Sequence, residues 1–227
     1  MESVRKGKGL KPEMEEAMLE KVCKYFDKTV VVLNVGNIID MKWVEKYNPS
    51  AVLYAWQGGI EGGHGVADVL LGRVNPCGKL ADTIAYDYKD YPSTANFNKL
   101  AADIDPLEYI ELRNKGLVAT DDRDIYEEDV YVGYRYFETA AKEKVIYPFG
   151  YGLSYTTFEI ESVSSYEMDD KIKVISRVTN TGNAAGKEVV QIYYNPAQGK
   201  IAKPVRNLIE FGKTRTLAPG ESEELIF

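Results

Sequence analysis

Two short runs, Thr29–Val35 (TVVVLNV) and Ala51–Trp56 (AVLYAW), constrain this chain more than anything else in it. Each is apolar at successive rather than alternate positions, the pattern of a strand covered on both faces. Such strands belong to parallel sheets, and a parallel pair needs a crossover that carries the chain back. Asp40–Tyr47 suits a short crossover helix. Asn48-Pro49 ends it, because a residue before proline is pushed out of the helical region.

Neighbouring segments extend the pattern. From Lys11 to Phe26, Met14, Met18, Leu19, Val22, Cys23 and Phe26 recur on one helical face, and Pro12 fits a first turn. After Ala51–Trp56, the glycine-rich turn at Gly58-Gly59 leads into an expected helix over Gly65–Leu71, then a third strand at Lys79–Ala85. The order α-β-α-β-α-β is that of an open α/β sheet, here a partial α/β sandwich with no strand before its first helix. From Asp87 to Asp129 the pattern gives way to Pro, Asn, Asp and Tyr, with a short helix expected near Pro106–Asn114. A connection this long is a functional excursion or a solvated one.

Beyond Pro148 the periodicity changes. Phe158–Tyr166, Lys171–Asn180, Glu188–Tyr194, Asn207–Leu217 and Glu223–Phe227 each read as a short strand, separated by turns such as Thr181-Gly182-Asn183 and Pro219-Gly220. In KIKVISRV the expected inward residues are Ile172, Val174, Ile175 and Val178. This predicts an all-β sandwich of fibronectin type III character. A complete one has about seven strands, so five make it incomplete, with the chain ending inside the last. Two domains are expected: a partial α/β sandwich over 1–150 with an excursion over 87–129, and the β-sandwich over 151–227.

Charge and cysteine usage exclude some functions. A net charge of −7 and a pI near 5.0 repel phosphate backbones, which argues against nucleic acid as a partner. Cys23 and Cys77 stand in unlike contexts with neither metal-ligand nor disulfide spacing. They read as free thiols in a reducing compartment, so a cytoplasmic location is expected. The first residues lack the apolar core of a signal peptide, and no run reaches the ~20 apolar residues of a membrane span. His64 is the sole histidine, which leaves little material for a histidine triad or a metal centre; no metal or organic cofactor is expected.

Several motifs carry a functional and a structural reading on spacing alone. Gly58-Gly59-Ile60-Glu61-Gly62-Gly63-His64-Gly65 lies between a strand and a helix, where backbone amides hold an anion or a sugar hydroxyl. Spacing alone favours tight strand-to-helix packing as the reason for the glycines, and they do not match the dinucleotide fingerprint. Gly212-Lys213-Thr214 imitates the end of a P-loop in a β-rich context and lacks its leading glycine. Glu127-Glu128-Asp129 precedes the aromatic run Val130–Phe137 (VYVGYRYF). Adjacent carboxylates on a strand face opposite ways and cannot flank one glycosidic bond. The aromatic run reads as packing.

Taken together, VVVLNVGNIIDMKWVEKY, AVLYAWQGGIEGGHGVADVLLGRVNPCGKL, YEEDVYVGYRYFE and YPFGYGLSYTTFEI resemble family 3 glycoside hydrolases, the β-glucosidase and β-xylosidase group. The resemblance covers nearly the whole chain, with the motifs in family order. It implies part of a retaining β-glycosidase that hydrolyses terminal β-linked sugars, with a β-linked oligosaccharide or glycoside as substrate. It also implies a TIM-like barrel carrying the aspartate nucleophile, in cis or in trans; that barrel is absent from this sequence. The family's acid/base glutamate often lies just upstream of the first helix. There Glu2 is the sole carboxylate and lacks the usual glycine-flanked motif, so no catalytic residue is assigned and the chain alone is expected to be inactive. Trp56, Gln57, Glu61 and His64 are the expected substrate-proximal or supporting residues, with Glu61 orienting rather than donating the proton. The alternative is a non-catalytic carbohydrate-binding or assembly module that docks onto a separate barrel subunit.

Overall fold

A computed structural model describes residues 12–95, 111, 114–115 and 128–227. Glu2, Glu127 and all of the helix expected near Pro106–Asn114 except Glu111 and Asn114 lie outside the described residues. The chain divides into two compact units. One comprises Met1–Leu33, Ile39–Leu53 and Ala85–Asp129; the other comprises Asn34–Ile38, Tyr54–Ile84 and Val130–Phe227.

The first unit begins with α1 (Pro12–Tyr25), followed by β1 (Val30–Leu33), α2 (Lys42–Tyr47) and β2 (Ala51–Tyr54). β1 and β2 form one sheet. Their beginnings lie side by side: Ala51 N donates to Thr29 O (3.3 Å) and Thr29 N to Ser50 Oγ (3.2 Å). The strands therefore run the same way, as the helical crossover requires. α2 stops at Asn48, which takes the left-handed conformation (φ 47°, ψ 56°) that asparagine tolerates better than most side chains.

Burial here departs from the expected pattern. Leu19, Val22 and Cys23 of α1 are half-buried, whereas Met14, Met18 and Phe26 are exposed. β1 alternates: Val31 and Leu33 are half-buried while Val30 and Val32 are exposed. Among the described elements, those packed on β1 cover the face that carries Val31 and Leu33 and leave the face of Val30 and Val32 open. An exposed pair, Lys46 Nζ to Glu16 Oε1 at 2.8 Å, joins α2 to α1. That hydrogen bond from Lys46 holds the Glu16 carboxyl below its ordinary value.

The second unit holds α3 (Gly62–Leu70) and β4 (Val145–Tyr147), with which β3 (Ile84–Ala85) pairs. The strand expected over Lys79–Ala85 thus contracts to its end. Part of the aromatic run forms a helix, α4 (Tyr134–Ala140). Gly133 precedes it at φ 58°, ψ −129°, a conformation essentially confined to glycine, and turns the chain into the helix. Tyr134 and Phe137 then share a face. Phe137 is 1% exposed, and Tyr134 packs on Phe149 (4.8 Å) and Tyr193 (6.0 Å). These aromatics serve packing.

The five expected sandwich strands all form: β5 (Phe158–Met168), β6 (Lys171–Asn180), β7 (Val189–Tyr194), β8 (Asn207–Lys213) and β9 (Ser222–Ile226). One antiparallel sheet has the order β5-β6-β9 and the other pairs β7 with β8. β8 ends at Lys213, and Leu217 beyond it is held by a bridge to Gly186. Val178, Val190 and Leu217 form the core, with Phe158, Ile192, Leu225 and Phe227 against it. Along β6 the buried residues are Ser176, Val178 and Asn180, while Ile172, expected inward, is 70% exposed.

Asn180 explains how a polar side chain occupies that core. Its Oδ1 accepts from Thr156 Oγ1 (2.7 Å) and Gly182 N (3.1 Å), and its Nδ2 donates to Ala184 O and Leu217 O (both 2.8 Å). A fully satisfied amide avoids the desolvation penalty of an unpaired one and ties three segments into one arrangement.

Candidate functional site

The expected site residues lie where the chain leaves β2 and enters α3. Tyr54 and Trp56 stack at 4.6 Å between ring centroids, and Tyr54 Oη donates to Asn37 O (2.7 Å). The short loop Asn34–Ile38 is thereby joined to the exit of β2. Trp56 sits in the left-handed region (φ 54°), which costs a bulky side chain energy and turns the chain sharply. Gln57 follows, exposed, its amide against Gly36; a Cβ there would come 2.7 Å from Gln57 Nε2.

α3 begins three residues earlier than expected. Gly58 packs against the Gly62 backbone, where a Cβ would lie 2.7 Å from Gly62 Cα, so the tight turn brings the helix start forward. His64 therefore belongs to the first turn of the helix, and Glu61 is its N-cap residue. Glu61 makes no capping bond with its side chain. Its Oε2 lies 2.5 Å from His64 Nδ1, with both side chains open to solvent (79% and 86% exposed). Glu61 and His64 thus form a pair, with Trp56 and Gln57 on the turn preceding them. A carboxylate bonded to an imidazole is suited to orienting a hydroxyl. A retaining hydrolysis needs two carboxyl groups about 5–5.5 Å apart, and the partner seen at Glu61 is not a carboxylate.

The other end of α3 carries residues whose roles spacing did not reveal. Asn75 Oδ1 accepts from Ser154 Oγ (2.9 Å) and Tyr155 N (2.8 Å), and its Nδ2 donates to Ala185 O (3.0 Å). Lys79 Nζ donates to Gly152 O (2.9 Å) and pairs with Glu188 Oε1 (2.9 Å), with both side chains mostly buried (17% and 13% exposed). Leu80 and the segment Gly150–Tyr151 exchange backbone hydrogen bonds: Leu80 N to Tyr151 O (2.8 Å) and Gly150 N to Leu80 O (2.7 Å). Gly152 touches the Gly78 carbonyl so closely that any Cβ would overlap it. The motifs G-x-x-NP-x-GKL and PFG-x-GLSYT-x-F, distinctive in sequence, are two sides of one contact.

A shallow cavity elsewhere in this unit is lined by Thr83, Phe137, Glu138, Lys142, Val145 and Pro148. Glu138 there lies between Lys142 (3.6 Å) and Arg206 (3.7 Å), a structural use of the carboxylate. Among the described residues no cluster of His, Cys, Asp and Glu is arranged to hold a metal ion, and no helix is long and apolar enough to cross a membrane.

A strand-to-helix turn followed in the same chain by an antiparallel sandwich describes a class of accessory region rather than a complete catalytic centre. Residues 5–155 match the model of the glycosyl hydrolase family 3 C-terminal domain, and residues 188–227 match a fibronectin type III-like domain. The chain belongs to glycosyl hydrolase family 3. It is 49% identical over 223 residues to a β-glucosidase of Ruminococcus albus, covering 98% of this chain and 21% of that protein. With β-glucosidase A of Butyrivibrio fibrisolvens it shares 45% identity, over 93% of this chain and 25% of that one. Among solved structures, a β-glucosidase from Paenibacillus barengoltzii superposes with a TM-score of 0.81 at 45% identity, covering 94% of this chain and 22% of that one. β-Glucosidase 3B of Thermotoga neapolitana, solved with glucose, gives 0.79 at 39%, over 94% and 28%. The chain spans about a fifth to a quarter of the length of the curated relatives it matches.

Proposed function

We propose that this chain is the accessory portion of a retaining β-glucosidase, acting on terminal β-linked glucosides together with a barrel that carries the nucleophile, in cis or in trans. The observation that carries the reading is the superposition of 94% of the chain on a β-glucosidase structure at 45% identity. Trp56, Gln57, Glu61 and His64 are its sugar-side groups. The Trp56 ring offers an apolar face of the kind sugars stack on. The Glu61–His64 pair orients a hydroxyl, while the two essential carboxyl groups come from elsewhere. The free thiols of Cys23 and Cys77 fit a reducing, cytoplasmic setting.

The test uses an aryl β-glucoside. The purified chain alone gives no turnover. Mixed with the separately produced remainder of the Ruminococcus albus enzyme, it restores hydrolysis. Turnover by the chain alone, abolished by a single carboxylate substitution within it, would sink the reading; so would a mixture that forms a complex yet stays inactive. In the reconstituted enzyme Glu61→Gln lowers kcat/KM about tenfold, as expected for one lost hydrogen bond. A missing general acid would cost up to ~10⁴-fold.

A further inference from the structure

We propose that Asn75 is a positioning residue for the Glu61–His64 pair, through which the β-sandwich sets the direction of α3. The role rests on the reading of those two side chains as sugar-side groups. No side chain of α3 is fully buried, and Val66, Ala67, Asp68 and Val69 are only half-buried, so packing holds its axis weakly, and packing is what usually holds a short helix. At its start, Glu61 spends its carboxylate on His64 rather than on a cap.

The fixing contacts lie at the other end. Tyr155 Oη donates to Val69 O (2.8 Å) in the last turn, and the N–H groups of Arg73 and Val74 return to Asp68 O (2.9 and 3.2 Å). The next residue is Asn75. Its amide joins three pieces of chain: the exit from α3, the strap Ser154-Tyr155 and the loop Ala185-Gly186 that leads into β7. Gly186 is itself bridged to Leu217 of the sandwich core, and a Cβ on it would come 2.7 Å from Asn75 Nδ2. The position calls for an oxygen that accepts twice beside a nitrogen that donates once. Asparagine supplies both, whereas aspartate would set a carboxylate oxygen against the Ala185 carbonyl.

Leverage gives these contacts their reach. A nine-residue helix is ~13 Å long at about 1.5 Å per residue. Loosened at its C-terminal end, it swings its first turn by ångströms for a rotation of some tens of degrees. A misplacement of about 1 Å in a positioned group costs on the order of 100-fold in rate.

The purified chain allows a test without sugar. His64 is its sole histidine, so the imidazole resonances need no assignment among residues, and its Hε1 serves as the signal to follow. In Asn75→Ala, hydrogen exchange at the α3 amides rises about tenfold and the His64 signal shifts, while β6 amides such as Val178 keep their wild-type exchange. Asn75→Asp, which retains the two acceptor contacts, shows the same pattern to a smaller extent. Unchanged α3 exchange and an unmoved His64 signal in Asn75→Ala would overturn the proposal. Exchange rising equally in β6 would also overturn it, because Asn75 would then serve the fold alone. Should Asn75→Ala not fold, Tyr155→Phe removes only the bond to Val69 O and is held to the same criteria, with a rise of about fivefold expected.

In the reconstituted enzyme, Asn75→Ala lowers kcat/KM, and adding Glu61→Gln to it costs little more, because both act through one group. Fully additive losses would overturn the positioning role. An inactive mixture in which the α3 exchange response persists would instead locate the failure in the glucosidase reading.

Discussion

Lys79 and Glu188 lose most of their hydration on folding, so each depends on the other. Removing one charge strands its partner, whereas removing both leaves an apolar contact. Lys79→Met alone is expected to destabilise the chain by about 3 kcal/mol, and Lys79→Met with Glu188→Leu by less than about 1 kcal/mol; urea unfolding midpoints of the three proteins check this. The GKL turn is recognisable in sequence but the pair is not, because its halves stand 109 positions apart. Asn75 was hidden likewise, its partners standing 79, 80 and 110 positions away. Trp56, Gln57, Glu61 and His64 were legible as neighbours because one turn carries them all. The hydrogen bond between Glu61 and His64 was not, since it depends on a helix that starts at Gly62 rather than Gly65.

Turns decide much at the level of elements. β5 and β6 are joined by Asp169-Asp170, both at positive φ (52° and 58°), the geometry of a two-residue hairpin that glycine occupies at lower cost. Asp170→Gly is therefore expected to raise the melting temperature by a few degrees, equivalent to about 0.5–1 kcal/mol. Between β8 and β9, Arg215 bonds the exposed Glu221 carboxylate (2.6 Å) and holds its pKa below the ordinary 4.5, with help from the Ala218 N–H. A carboxyl with a lowered folded pKa binds fewer protons when folded. Its contribution is thus complete above about 4.5 and fades as pH falls through the folded value. Arg215→Gln should cost a degree or so in melting temperature at pH 7, and that difference should vanish in strong acid; the effect is small because both groups are solvated. A melting difference that stays constant down to pH 2 would contradict this account. The five sandwich strands were legible because their turns are strong and their cores alternate. α4 was not, because VYVGYRYF is rich in strand-forming aromatics and only the backbone at Gly133 turns it helical.

For the whole molecule, family membership was readable from four motifs in order, whereas the expected continuous burial of β1 was not met. Val30 and Val32 carry the β-branched character of a strand covered on both faces, but the described two-stranded sheet leaves them exposed. The reciprocal hydrogen bonds between Leu80 and Gly150–Tyr151 have a consequence for how such a chain tolerates change. They close a neck around the roughly seventy residues between them. Closing the ends of a span costs entropy that grows only slowly with its length, about 0.6 kcal/mol per doubling. A change of length between Leu80 and Gly150 is therefore expected to be tolerated where it spares β3, β4 and α4, whose Phe137 is buried, and the lock formed by GKL and PFGYG should remain the fixed point around which it occurs.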